Sequence, residues 1–161
     1  MFLALGVLIT YTFHLTGIAA KALLPMHIPV LLCGFIVGPQ YGLIVGFLTP
    51  LLNSLLTGMP QIYPSGISMS LELATYGLVS GWMYKVRNKN IMISLIVSML
   101  SGRIVLGIAN YILLGFSGKQ YLFQAFLMSA FVNVIWGIAI QLIIIPLVVK
   151  AVEKQREASK N

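Results

Sequence analysis

Charge is what this sequence has least of. Only 8% of its 161 residues are Asp, Glu, Lys or Arg, aspartate does not occur, and the acidic residues are Glu72, Glu153 and Glu157. A soluble domain carries about a quarter charged residues, so this chain cannot dress a water-facing surface. The scarcity of carboxylates also removes the paired acids of hydrolytic sites, and no HExxH or serine–histidine arrangement replaces them. A GxxxxGK[ST] phosphate loop is missing too, so ATP-driven work would need a partner. The single cysteine, Cys33, excludes an internal disulfide and a cysteine-based zinc site, and it reads as packing. No cofactor and no metal are expected.

Apolar residues are what the chain has in excess: 59% of it is hydrophobic, with a mean hydropathy of +0.98. Crossing ~30 Å of hydrocarbon takes roughly 20 apolar residues per helix, and a chain of this length has room for about six. The expected fold is therefore an all-α integral membrane bundle of six transmembrane helices, one domain over 1–161 with a short basic tail from about 151. The segments are 2–20, about 28–38, 39–57, 66–84, 91–115 and 121–150. Residues 1–20 lack a basic leader and a small-residue cleavage site, so they read as the first span rather than a signal peptide.

Basic residues set the orientation. Lys85, Arg87, Lys89, Lys150, Lys154, Arg156 and Lys160, seven of the ten, fall after the fourth and sixth segments, on one side of the membrane. The positive-inside rule makes that side cytoplasmic and places both termini there. These residues stand at the ends of apolar runs rather than among interleaved aromatics, so the +7 charge does not indicate nucleic acid.

The second segment, within PMHIPVLLCGFIVGP, is too short to span alone: about eleven helical residues rise only ~17 Å. It must be tilted, shielded by neighbours or backed by non-helical chain. Pro39 suits the first turn of the next helix and Gly38 the turn before it. Glycines 34, 38, 42 and 46 recur every fourth residue, a spacing that lets helices approach closely.

Polar groups inside spans are costly and normally face a cavity or a partner. Counted from the outer helix ends, Asn53 lies about 6 Å deep, Asn110 about 7 Å, Glu72 about 9 Å, and Arg103 and Asn133 about 18 Å. Several helices thus send polar side chains to the outer half, as a pocket opening outward requires. His27, Tyr63, Tyr111 and Trp136 complete the candidate set, with Lys21, Gln61 and Gln124 at loop ends. The alternative for Glu72 and Arg103 is a structural ion pair, and for the asparagines interhelical hydrogen bonding.

With PMHIPVLLCGFIVGPQYGLIVGFLTPLLNSLLTG leading into ELATYGLVSGWMYK, the chain resembles the substrate-binding S components of energy-coupling factor (ECF) transporters. The most specific part is the step Gly38, Pro39, Gly42, Gly46. The resemblance implies a prokaryotic plasma-membrane protein that captures a vitamin or precursor from outside. It further implies docking on a transmembrane T subunit with two cytoplasmic ATPases. The implied pocket lies among spans four to six, capped by loops 21–27 and 58–65. The MHIPV string is similar to pantothenate-type members, and Arg103 suits a carboxylate, so pantothenate is the ligand expected first, with pyridoxine-like and hydroxymethylpyrimidine-like ligands as close competitors; Glu72 would favour an amine or aminopyrimidine. The alanine-x-x-x-alanine motif that many members use against the T subunit is missing from residues 1–20, where Gly6 and Thr10 offer a small-residue substitute.

Two rival classes differ in what they need. A stand-alone carrier would work without ATPases, and an intramembrane enzyme would use His14, His27 or Glu72 as acid or base. On the expected coupling role, bulky replacements at Gly6 or Thr10 should impair complex assembly, measured by co-purification, and leave ligand affinity intact.

Overall fold

The computed structural model describes residues 1–15, 26–116 and 135–159, and every regular element among them is helical. The elements are α1 (Phe2–Leu15), α2 (His27–Ile36), α3 (Pro39–Thr57), α4 (Ile67–Gly81), α5 (Ile91–Phe116) and α6 (Ile135–Ala158). A wide, π-type turn, Ile62–Gly66, leads into α4, and another, Trp82–Val86, closes it. By length and hydropathy, two described segments pass the test for crossing a membrane: Ile91–Gly115 and Ile135–Ala158. The expected tail is not separate chain, because α6 continues without a break to Ala158.

The α2–α3 step follows the expected chemistry. Pro39 occupies the first turn of α3, where a missing N–H costs nothing. Gly38 before it has φ 137°, a conformation that side-chain-bearing residues avoid. Helix α3 then ends on Gly58 at φ 72°, whose N–H bonds back to the Ser54 carbonyl as a left-handed cap.

How a ten-residue helix lives in an apolar bundle is answered by its neighbours. Helix α2 packs against α1, α3, α4 and α6, and His27, Pro29, Val30, Leu31, Cys33, Gly34 and Phe35 are all buried. Val30, Leu31 and Phe35 join Leu73 and Tyr76 of α4, Leu95 and Met99 of α5, and Ile145 and Val149 of α6 in one core. The short segment is thus shielded on its sides, and its own backbone bonds are satisfied within the helix.

Helix α4 sits at the centre, with its broadest contact against α3. Glycine brings these two helices together. A Cβ on Gly42 would stand 2.5 Å from the Gly77 carbonyl oxygen, and one on Gly46 would fall on the Leu73 carbonyl. A Cβ at Gly81 of α4 would stand 2.6 Å from the Pro39 nitrogen, and one at Gly34 of α2 would stand 2.5 Å from the Gly77 oxygen. The four-residue glycine stripe therefore works at 34, 42 and 46. Gly38 meets nothing within 4 Å and serves the turn instead.

One expectation is corrected here. Gly6 and Thr10 do not form an outward face for a partner, because both are buried inside the chain. A Cβ on Gly6 would stand 2.9 Å from the Thr49 methyl of α3, and the Thr10 hydroxyl donates to the Gly6 carbonyl at 2.8 Å. Small residues let α1 lie down on α3, so the stripe is consumed internally. Gly77→Val and Gly6→Leu should therefore lower the melting temperature of the purified protein, each costing about 1–3 kcal/mol or more from overpacking. Gly115→Ala, with nothing within 4 Å of the new methyl among the described residues, should leave the melt unchanged.

Candidate functional site

Four side chains from three helices meet in the interior beside this core. Helix α4 supplies Glu72 and, one turn later on the same face, Tyr76. Helix α5 supplies Arg103, and the first turn of α2 supplies His27. Arg103 Nη1 lies 2.9 Å from Glu72 Oε1, and the Tyr76 hydroxyl donates to the same oxygen at 2.8 Å. His27 Nε2 stands 3.9 Å from the other carboxylate oxygen, Oε2, and its ring lies 5.3 Å from the Tyr76 ring at a tilt of 53°. Exposure is 0% for His27 and Tyr76, 1% for Glu72 and 6% for Arg103, so the ion pair is cut off from bulk water.

Local packing fixes this arrangement. Gly102, immediately before Arg103, has no side chain where a Cβ would run into the Tyr76 ring, which lets the phenol lie flat on α5 and reach Glu72. With Arg103 and Tyr76 sharing Oε1, the carboxylate is charge-paired and hydrogen-bonded, the condition under which buried charge is tolerated. Arg103 Nη2, in contrast, is buried with no hydrogen-bond partner among the described residues. The guanidinium therefore keeps one donor edge free while the other is anchored.

The remaining expected residues fall into three groups. Asn53 is fully buried on α3, where its Nδ2 donates to the Thr49 carbonyl at 3.1 Å and its Oδ1 has no partner among the described residues. Asn110 is half-buried on α5, seven residues and about two turns beyond Arg103. Tyr63 reaches over from the α3–α4 connection, its hydroxyl donating to the Leu113 carbonyl at 2.6 Å, which ties that loop to the end of α5. Tyr111 and Trp136 are not brought into the buried cluster: they are 70% and 71% exposed, as aromatic side chains with one polar atom are at a membrane boundary. Asn133, Lys21 and Gln124 lie outside the described residues.

Two points escaped sequence reasoning. Depth counting left Glu72 and Arg103 about 9 Å apart, yet they touch. The 26 residues of α5 run about 39 Å, some 9 Å more than a ~30 Å hydrocarbon core, so its last residue does not mark the membrane edge. Tyr76 was the missed member, and its four-residue spacing from Glu72 was the available signal. Gln141 is also fully buried on α6, with neither amide atom partnered among the described residues.

The family described as "ECF transporter, substrate-specific component" matches residues 1–149. No curated protein and no solved structure matches the chain significantly. With all but the last dozen residues inside that match, the chain belongs to the family of ECF-transporter substrate-specific components.

Proposed function

We propose that this protein captures a small carboxylate-bearing vitamin, pantothenate first, and that Arg103 is the side chain that receives the carboxylate. Membership in the family makes the chain a substrate-specific transporter subunit of the membrane. The observation that carries the ligand reading is the unpartnered Nη2 of a guanidinium already anchored by Glu72. An arginine held by one edge and open at the other is suited to a second oxyanion, because its donors lie in a rigid planar fork. Glu72 is already engaged by Arg103 and Tyr76, which disfavours an amine or aminopyrimidine as the group it would recognise. Asn53 Oδ1 and the amide of Asn110 would serve the ligand's hydroxyl and amide groups, with Asn133 a further candidate.

In this reading the chain is a single domain of six spans in a prokaryotic plasma membrane, with both termini in the cytoplasm. The α3–α4 connection, tied to α5 through Tyr63, forms part of the cap over the ligand. Having no phosphate loop of its own, the protein depends on a T subunit and two ATPases for uptake. A second reading has a specific observation in its favour: the 2.9 Å pair could serve only to hold α4 on α5. The two readings differ in what an apolar replacement does to ligand affinity.

Isothermal titration of the purified protein with a panel of B vitamins is the test. Pantothenate should bind with submicromolar affinity, and Arg103→Met should weaken it by at least about a hundredfold, the loss expected when a charged hydrogen-bonding partner is removed at roughly 3 kcal/mol. The double variant Glu72→Leu/Arg103→Met removes both charges together and should recover stability relative to Arg103→Met without recovering binding. No submicromolar ligand in the panel, or full affinity in a folded double variant, would leave the pair as a structural clasp. A positioning role for Gly102 is tested in parallel: Gly102→Ala should displace the Tyr76 ring and weaken binding about tenfold while Tyr76→Phe weakens it less, since the phenylalanine ring keeps its place.

A further inference from the structure

A separate feature lies at the other end of the bundle. A groove of about 810 Å³ opens between the turn that joins α4 to α5 and the last third of α6. Its lining is of mixed chemistry: Asn88, Lys89 and Lys150 are polar or charged, and Ile91, Ile93 and Pro146 are apolar.

The charges around it are not equivalent. Lys85 donates to the Ile36 carbonyl at 2.6 Å and Arg156 donates to the same oxygen at 3.3 Å, so both cations are committed to the last turn of α2. Basic groups there also offset the negative end of that helix. Glu153, the one carboxylate in the groove wall, accepts the Tyr84 hydroxyl at 2.6 Å. Arg87 lies 4.1 Å over the Trp82 ring. Lys89 and Lys150 are left exposed and without an ion-pair partner among the described residues. The turn holds Lys89 in place, since Asn88 takes φ 50° and the Lys89 N–H bonds to the Met83 carbonyl at 3.0 Å.

We propose that this groove is a binding site for one anionic phospholipid, its phosphate between Lys89 and Lys150 and an acyl chain along Ile91, Ile93 and Pro146. Two free ammonium groups at the end of a membrane helix pair attract an anionic headgroup. The apolar lining residues decide between a lipid and a soluble phosphate, because only a molecule with a hydrocarbon tail gains by covering them. Ile93 and Leu147 beside it are 48% and 66% exposed, so the groove is continuous with surface that lipid tails already wet. This site shares no residue with the Glu72–Arg103 cluster and stands whether or not the vitamin reading holds.

Native mass spectrometry of the full chain tests it, with detergent micelles doped with phosphatidylglycerol or with phosphatidylcholine of the same chains. One phosphatidylglycerol should remain bound in preference to phosphatidylcholine, and Lys89→Gln/Lys150→Gln should reduce that preference about 25-fold at low salt, about fivefold per lysine. Both positions are exposed, so the double variant should keep the wild-type melt. Ile93→Trp, which fills the apolar part, should reduce retention of the lipid while leaving both lysines in place. Soluble glycerol 3-phosphate should not compete at millimolar concentration. Equal retention of the two lipids, an unchanged preference in the double variant, or full competition by glycerol 3-phosphate would each overturn the proposal, the last by assigning the lysines to a soluble anion. Preferential capture of an acidic peptide over phosphatidylglycerol would overturn it in favour of a protein contact.

Discussion

A charge placed in a helical bundle without water has to find its opposite, and the Glu72–Arg103 pair is the constraint around which this interior is arranged. Each partner alone would be expensive at membrane depth, and each therefore fixes where the other's helix can lie. The pair holds the middle of α4 to the middle of α5, and Tyr76 and His27 complete its surroundings from two directions. The carboxylate is fully engaged while the guanidinium is only half engaged. That asymmetry is what turns a structural contact into a candidate recognition site.

The pair could not close without the backbones coming close, and small residues make that possible. Gly42 and Gly46 seat α3 against Gly77 and Leu73 of α4, and Gly102 makes room on α5 for the phenol of Tyr76. Helix α2, too short to cross a bilayer, fits as an internal wedge whose apolar side chains fill the centre and whose first residue, His27, touches the charged cluster. Close packing and polar recognition are thus two outcomes of one set of glycine positions. At the opposite end lies a groove, and five of the seven basic residues that the positive-inside rule singles out find different duties around it: two cap α2, one stacks on Trp82, and two line the groove without an ion-pair partner among the described residues.

Much of this was legible in the sequence because membrane helices announce themselves by composition. The bounds of α3 and the break at Gly38–Pro39 follow from residues whose backbone preferences are nearly absolute. The pairing of Glu72 with Arg103 was legible as one of two alternatives, because a chain with so few charges offers a buried carboxylate few partners. What could not be read was which face a small-residue stripe turns inward. Gly6 and Thr10 present the same spacing whether they meet another subunit or α3, and only the fold decides between them. Likewise, a count along one helix cannot give relative depth when helices differ in length, which is why Arg103 was placed too deep. Tyr111 and Trp136 show the same limit, since an aromatic residue near a helix end serves a pocket and a membrane boundary equally well on paper.

The central claim is that a ligand carboxylate occupies the open edge of Arg103. Solid-state NMR distance measurement between carboxyl-13C pantothenate and 15N-guanidinium arginine in membrane-embedded protein addresses it directly. The account predicts a 13C–15N separation under about 4 Å, the span of a charge-assisted hydrogen bond plus one C–O bond, and its disappearance in Arg103→Met. A bound ligand whose carboxyl carbon shows no coupling to any arginine, or the same coupling in Arg103→Met, would contradict it.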